Sequence, residues 1–176
     1  RLLNLASQLL DFQKLGANKL TLNYETVNVS DLLKETVNRF EPTYTHQGKE
    51  LVTETLEEDI YARIDKEAIT KILSNLLNNA LKYGTHHISA RLVRSGKNFE
   101  ITVTSDGEKI PAEKAEQIFE AFYQNNKEKK EKQGVGIGLA LARSLALLHK
   151  GTLALDTTNA DNAFVLTIPV NMEEDE

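Results

Sequence analysis

The clearest pattern of apolar and polar positions lies in the stretch that ends in "SNLLNNALKYG", residues 74–84. At about 100° per residue, a helix here has one broad apolar face, made of Ile69, Ile72, Leu73, Leu76, Leu77 and Ala80. The opposite face carries Asn75, Asn78, Asn79 and Lys82. Asparagine is a weak helix former that competes for backbone hydrogen bonds, so a solvated face normally carries Glu, Lys, Gln or Arg instead. The amides of this face therefore need an explanation other than solvation.

Similar patterns predict the elements before this helix. Two apolar stripes within residues 1–16 predict a helix that packs on more than one neighbour, as in a bundle. Alternation predicts a strand at 20–29, and Ser30 is expected to open a helix that continues to about His46. Asp65 is the expected N-cap of the asparagine-bearing helix.

The remaining patterns predict short strands and two more helices. A short helix is expected from about Pro111, and another follows the glycine-rich stretch and ends before Gly151. Strands are predicted at 50–56, 60–64, 87–93, 99–105, 152–158 and 163–170. Helices and strands mix without strict alternation, so the expected fold is α+β, a two-layer sandwich with helices on one face of a mixed sheet. The predicted organisation is a helix at 1–16, a linker strand region at 17–29, a main domain at 30–172 and an acidic tail at 173–176.

Composition narrows the class of protein. The 176 residues allow one sizeable core, and 40% apolar with 27% charged residues is ordinary for a globular domain. A net charge of −5 argues against a nucleic-acid partner, whose binding domain would be basic. The chain has no cysteine, which excludes disulfides and thiolate metal sites and fits a cytoplasmic domain. No stretch reaches the ~20 apolar residues of a membrane span. Because the first residue is not Met, we expect a piece of a longer protein.

The segment "GVGIGLAL" brings glycine to alternate positions before a helix, at Gly134, Gly136 and Gly138. It lacks the spacing of the dinucleotide fingerprint and the Lys-Ser/Thr ending of a Walker loop. Glycines nevertheless let backbone amides approach phosphate oxygens at a helix N-terminus. A flexible turn before a core helix explains the glycines equally well when they are considered alone. The polar loop at 124–133 before them has no apolar anchor and is expected to be a mobile lid.

The order of these motifs resembles the ATP-binding domain of sensor histidine kinases. That family shares the Bergerat nucleotide fold with gyrase-type and chaperone ATPases. The resemblance covers about residues 24–172 and includes an N box, "NLLNNALKY", an F box, "FEAFY", and a G2 box, "GVGIGL". Residues 1–16 look like the second helix of the kinase dimerisation hairpin, and "QLLDFQKL" is similar to hybrid two-component sensors.

The resemblance implies that the N-box amides face a nucleotide. Asn79 would give its carbonyl oxygen to Mg²⁺, which prefers oxygen ligands, and Asn75 would assist. Lys82 would meet phosphate, and Tyr83 would pack near the base or ribose. Asn78 is expected to be a bystander. The F box would anchor the lid through Phe119 and Phe122, and the G2 box would hold the phosphates through Gly134, Val135, Gly136, Ile137, Gly138 and Leu139.

The N box also bears on the reaction type, with Asn75 and Lys82 as the expected catalytic residues. The hydrolytic relatives carry a Glu at the position of Asn75, where it activates water. An amide accepts no proton at neutral pH, so this site is poorly suited to hydrolysis. Phosphoryl transfer needs mainly positioning and charge stabilisation, which suits transfer to a histidine.

The G1 box departs from the family pattern Asp-x-Gly-x-Gly-Ile. Ser105 replaces the Asp that reads adenine, and Lys109 replaces the second Gly, whereas Gly107 and Ile110 match. Either Asp106 takes over the contact with the adenine amino group or Ser105 makes it through its hydroxyl or a water. The missing Asp predicts weaker nucleotide affinity and weaker selectivity for the base.

None of the four histidines has the context of the family's phosphoacceptor, so the acceptor is expected outside these residues. The resemblance implies a sensor that forms homodimers through its hairpin helices, passes phosphate to a response-regulator receiver domain, and is the cytoplasmic part of a membrane-bound protein. The main alternative is a degenerate module that binds nucleotide or a partner without turnover, since the G1 box is altered. A hydrolytic relative is the third possibility.

Overall fold

A computed structural model describes residues 2–55, 58–124 and 136–172 of the chain, without the side chains of residues 2–4. In chain order, the elements are α1 (Leu2–Gly16), β1 (Glu25–Asn28), α2 (Val29–His46), β2 (Glu50–Thr55), β3 (Tyr61–Ile64), α3 (Lys66–Tyr83), β4 (His87–Ser95), β5 (Asn98–Ser105), α4 (Gly138–Leu148), β6 (Thr152–Asp156) and β7 (Asn162–Pro169). Two short 3-10 helices, Ala112–Lys114 and Gln117–Phe119, lie between β5 and α4.

The main sheet is mixed and has five strands in the order β2-β4-β5-β7-β6. β2 and β4 are parallel, whereas the other neighbours are antiparallel. A second, two-stranded sheet joins β1 to β3. Burial alternates along β5, where Phe99, Ile101 and Val103 point into the core. Since α2 and α3 contribute their apolar faces to that same core, the predicted α+β sandwich is confirmed.

Hydrogen bonds between the helices complete this layer. The buried Tyr44 hydroxyl of α2 donates to the carbonyl of Leu77 at 2.6 Å. At the start of α3, the Asp65 carboxylate accepts from the amide of Ala68 at 3.0 Å, as the sequence predicts for an N-cap. The placement of α3, and with it that of its polar face, is therefore fixed at both ends.

α1 lies against the ends of α3 and α4 instead of standing apart. Phe12 and Leu15 pack on the core, and the nearly buried Asp11 forms an ion pair with Lys71 of α3 at 2.8 Å. Leu9 and Leu10 point outwards and are 39% and 57% exposed. One side of the helix thus finds partners within the chain, while its second apolar stripe remains uncovered where the structure describes it.

Three local predictions are wrong. The strand expected at 20–29 is limited to Glu25–Asn28, and the N-cap of α2 is Asn28, not Ser30. Ser30 is buried instead, where its hydroxyl accepts from the amide of Ile60. The helix expected from Pro111 is replaced by the two short 3-10 helices. For Ser30, long-range packing overrides a local signal, because the hydroxyl is engaged by the amide of Ile60.

Among the helices that the structure describes, none is long and apolar enough to cross a membrane.

Candidate functional site

A cavity of about 520 Å³ lies between the polar face of α3, the turn after β5 and the start of α4. We call its two sides the α3 wall (Asn75, Asn78, Asn79 and Lys82) and the turn wall (Ser105, Glu108, Lys109, Ile110 and Asn162). The predicted site residues that line it are Asn75, Asn79, Lys82, Tyr83, Ser105, Ile110, Gly136, Ile137, Gly138 and Leu139. Sequence patterns from three separate regions of the chain therefore converge on one cavity.

The α3 wall presents three amides and one ammonium group from a single helix. Asn75 is 8% exposed, Asn79 is half-buried, and Lys82 lies above the ring of Tyr83 at 5.0 Å. Asn78, expected to be a bystander, also lines the cavity. The wall follows directly from helical periodicity, because the apolar residues of α3 are buried on its other face.

Two cavity residues come from α1, which the sequence patterns assign to another part of the protein. Leu5 and Gln8 both line the cavity, and the Gln8 side-chain amide donates to Oδ1 of Asn75 at 2.8 Å. The orientation of the Asn75 side chain is therefore set by α1. No motif signals this contact, since it depends on how α1 docks.

The turn wall is held by hydrogen bonds to the β6–β7 connection and to the start of β7, the strand next to β5. Asn162, at the start of β7, is 2% exposed. Its side chain accepts from the amide of Ile110 at 2.8 Å and donates to the carbonyl of Glu108 at 2.7 Å. The Lys109 ammonium group donates to the carbonyls of Asn159 and Asp161 at 2.6 and 3.0 Å. The two unusual features of the G1 box, its serine and its lysine, thus occur in a turn that the β6–β7 connection holds in place.

Asp106 does not line the cavity, although it is the carboxylate next to Ser105. Its oxygens accept from the backbone amides of Thr85, His86 and His87 at 2.8 to 3.1 Å. Burial acts to raise the pKa of Asp106, but these donors outweigh it and lower the pKa to about 2. The expectation that Asp106 takes over the contact with adenine has no support in this geometry, because the carboxylate faces the connection between α3 and β4.

Gly107 also lies outside the cavity lining, where its contribution is close packing. A Cβ atom at this position would lie 2.1 Å from the carbonyl oxygen of Tyr83. Only glycine allows the turn to pack this tightly on the end of α3. The expected nucleotide contact of Gly107 is therefore replaced by a role in joining the two walls.

The F box lies beside the cavity, and neither of its phenylalanines lines it. Phe119 is a core residue whose ring meets that of Phe164 edge-on at 6.1 Å. Phe122 is 58% exposed, contacts the ring of Phe12, and donates its amide to the carbonyl of Gly136 at 2.8 Å. Gly136 has a φ of +74°, and a Cβ there would lie 2.5 Å from the Tyr123 carbonyl oxygen. Phe119 and Phe122 thus lie outside the cavity, with Phe122 hydrogen-bonded to the glycine-rich turn, whereas Tyr123 of the same box lines it. Their role in anchoring a lid stays a prediction.

Most of the predicted lid, as well as Gly134 and Val135, lies outside the described residues. The described part of the glycine-rich turn leads into α4, whose N-cap position is held by Ile137. Isoleucine has no side-chain acceptor for the first amides of the helix, and these amides adjoin the cavity. The amide-rich, positive end of a helix dipole favours an anion at this place.

The charge of the cavity is opposite to that of the chain. Within the described ranges, its charged lining residues are Lys82, Lys109, Lys114 and Glu108, so three cations face one anion although the net charge of the chain is −5. An anionic ligand with several charges, such as a triphosphate, is stabilised here. The described residues hold no group of three or more His, Cys, Asp or Glu side chains that could bind a metal ion. Any Mg²⁺ would therefore rely on amide oxygens and on oxygens of the ligand itself.

A protein-family model described as "Histidine kinase-, DNA gyrase B-, and HSP90-like ATPase" matches residues 64–172. This match covers the α3 wall, the turn wall and the start of α4. The chain therefore belongs to that family of ATPases and kinases.

The chain is similar in sequence to sensor histidine kinases, and solved structures of such kinases share its fold. The sensor histidine kinase WalK of Bacillus subtilis is 28% identical over 182 residues, a match that covers all of this chain and 30% of WalK. Full-length ShkA in complex with AMPPNP has a TM-score of 0.84 at 23% identity, covering 96% of this chain and 35% of that one. Histidine kinase ThkA in complex with the response regulator TrrA has a TM-score of 0.77 at 21% identity, covering 96% and 48%. The chain is an ATP-binding domain of the sensor histidine kinase type, and it spans less than a third of WalK.

Proposed function

We propose that this domain binds Mg·ATP and transfers the γ-phosphoryl group to a histidine outside these residues, within a larger two-component sensor kinase. The observation that carries the proposal is the α3 wall, where neutral amides and a lysine line a positively charged cavity at the start of α4. Phosphoryl transfer requires a protein mainly to position the phosphates and to offset their charge. The side chains of this cavity supply those two functions.

Asn75 favours transfer over hydrolysis. A base that activates water must accept a proton within hydrogen-bond reach of that water. The buried Asn75 amide offers no such group, and Glu108 is the one carboxylate among the described lining residues, where it is exposed on the turn wall. Among the residues that the structure describes, none places a carboxylate on the α3 wall that could act as a base for water there.

Asn79 is our choice for the metal ligand, with Asn75 as a helper. When bound, Mg²⁺ would neutralise part of the charge that develops on the transferring phosphoryl group. A neutral amide ligand suits that ion because the triphosphate already supplies negative charge. Asn79 is better placed than Asn75 to act alone, since Oδ1 of Asn75 already accepts a hydrogen bond from Gln8.

Homodimerisation is proposed through α1 and a second hairpin helix. Leu9 and Leu10 are exposed large apolar residues on the side of α1 that faces away from the domain. A helix with an uncovered apolar stripe is suited to a helical bundle. We propose a receiver domain as the next partner, by analogy with the ThkA complex with TrrA. The proposed location is the cytoplasmic side of a membrane-bound sensor.

A degenerate module without turnover is the second candidate. It is favoured by the loss of the G1 carboxylate at Ser105 and by the engagement of Asn75 with α1. A degenerate module that docks only a partner would not bind ATP, whereas one that still binds nucleotide differs from the kinase only in whether phosphate is transferred.

Labelled ATP separates the candidates. We expect the 176-residue chain to bind ATP without labelling itself, whereas a longer form with the first hairpin helix should acquire acid-labile phosphate on histidine. The Asn79→Ala variant of the longer form should remain unlabelled. Transfer is contradicted if the longer form binds ATP but remains unlabelled, or if its label is acid-stable as on serine.

A further inference from the structure

Two buried polar side chains stand side by side in one part of the cavity. Ser105 ends β5 and is 5% exposed, and Asn162 begins β7 and is 2% exposed. They are direct partners in the register of the two strands, and both line the cavity. A pair of buried polar groups at the same place needs hydrogen-bond partners.

Among the residues that the structure describes, Asn162 finds such partners and Ser105 does not. Its side-chain amide forms hydrogen bonds with the backbone of Glu108 and Ile110 in the turn wall. The Ser105 hydroxyl forms no hydrogen bond with the residues that the structure describes, and its oxygen is open to the cavity, since no enclosed side-chain oxygen or nitrogen among those residues lacks a partner. Asn162 therefore positions the turn, and Ser105 is the group left for a ligand.

The surroundings of Ser105 suit a flat aromatic ring. Ile110, Ile118 and Phe164 line the same cavity, and Phe164 lies two residues along β7 from Asn162, on the same face of the sheet. The lysines and the uncapped amides of α4, in contrast, suit phosphates. A nucleotide bound as proposed would hence have its base beside Ser105.

The described lining of the cavity brings no buried carboxylate to this hydroxyl. Asp106 faces the backbone amides of Thr85, His86 and His87 instead of the cavity. Glu108 lines the cavity but is exposed. The group that meets the base is thus neutral.

We propose that Ser105 sets the base specificity of the site, so that it accepts 6-oxopurine nucleotides, such as inosine triphosphate, nearly as well as ATP. This inference rests on the proposed nucleotide site and adds a wider substrate class to it. A carboxylate only accepts hydrogen bonds, so it pairs with the 6-amino group of adenine and repels a 6-oxo group. A hydroxyl both accepts and donates, so it pairs with either group.

The test compares Mg·ATP with Mg·ITP, because the two differ only in the base, where ITP has an oxo group in place of the 6-amino group and carries a hydrogen on N1. Calorimetric titration of the chain should give dissociation constants within about threefold of each other. The Ser105→Asp variant should favour ATP over ITP by about tenfold or more, because the oxo group then faces an anion. Ser95→Asp is the matched control, since Ser95 is exposed at the far end of the β4–β5 hairpin and should leave the ratio unchanged.

Ser105→Ala keeps the test decisive if the aspartate variant does not fold. Loss of the hydroxyl should weaken ATP and ITP by the same factor, about three- to tenfold. The inference is wrong if the unmodified chain prefers ATP by tenfold or more, or if Ser105→Ala changes neither affinity. Tight ATP binding with ITP excluded overturns this inference alone, whereas failure of both nucleotides to bind overturns the proposed function with it.

Discussion

The two walls of the cavity are built in different ways. The α3 wall comes from one 18-residue helix, whose polar face is defined by its own periodicity and whose start is capped by Asp65. The turn wall is irregular backbone held by Asn162 and Lys109, through hydrogen bonds to residues 50 to 54 positions away. Side chains on the α3 wall therefore contribute little to the stability of the fold, whereas the side chains that hold the turn wall contribute to it directly.

This difference predicts opposite responses to mutation. A polar side chain on the α3 wall should affect ligand binding with little effect on folding, because its helix is stabilised by the buried face. A change in the contacts of the turn wall should reduce stability and binding together, because the same hydrogen bonds serve both.

The largest effect is expected for Gly107→Ala, at the junction of the walls. The added Cβ would lie 2.1 Å from the carbonyl oxygen of Tyr83, so the backbone must shift. We expect the free energy of unfolding to fall by at least about 3 kcal/mol. Gly16→Ala is the matched control, because a Cβ there meets nothing within 4 Å. Denaturant midpoints measure both variants. Equal stability of the two would show that the walls are not tightly joined at this point.

Asn162→Ala is expected to have the next largest effect. It leaves the partly buried backbone amide of Ile110 and the carbonyl of Glu108 without these partners, which should lower the free energy of unfolding by about 2–3 kcal/mol and weaken nucleotide binding. Lys109→Ala removes an exposed hydrogen bond of the same turn and should lower the free energy of unfolding by less than about 1 kcal/mol. If Lys109→Ala proves as destabilising as Asn162→Ala, the buried amide is not the principal support of the turn.

Asp106 should make the stability of the turn depend on pH. Its pKa is lowered from 3.8 to about 2, so the charged carboxylate is the form that the fold stabilises. Its contribution is complete above about pH 4 and is lost as the pH falls towards 2. We expect Asp106→Asn to be less stable than the unmodified chain by about 1 kcal/mol at pH 7, and the gap to close near pH 2. A gap that is constant with pH would contradict this role.

The smallest effect is expected for Gln8, the α1 residue that contacts the α3 wall. Because its amide occupies Oδ1 of Asn75, Gln8→Ala should free that oxygen and raise Mg·ATP affinity by about threefold. Gln13→Ala changes an exposed glutamine of the same helix and should have no effect. Calorimetry of both variants measures the difference. Weaker binding by Gln8→Ala would mean that the contact orients Asn75 for the ligand.

The same contrast explains what the sequence could predict. α3, its Asp65 cap and the β4–β5 hairpin follow local rules, and the structure agrees with those predictions. The sequence around Asn162 shows only a residue between a turn and a strand. Its role could not be predicted, because its hydrogen-bond partners are more than 50 residues away. The local pattern predicts that Ser30 caps α2, but its hydroxyl accepts a hydrogen bond from the amide of Ile60 in the core instead. Local patterns predict sites on regular elements, whereas sites on irregular backbone depend on the packing of the whole domain.

Metal-dependent nucleotide binding by the α3 wall is the central claim, and titration of Asn79→Ala with ATP tests it most directly. The unmodified chain should bind ATP in the presence of Mg²⁺ and lose most of that affinity with chelator. Asn79→Ala should remain folded by circular dichroism and bind Mg·ATP about thirtyfold more weakly or worse. Asn38→Ala, an exposed asparagine of α2, should bind like the unmodified chain. Unchanged Mg·ATP affinity in a folded Asn79→Ala protein would contradict the account.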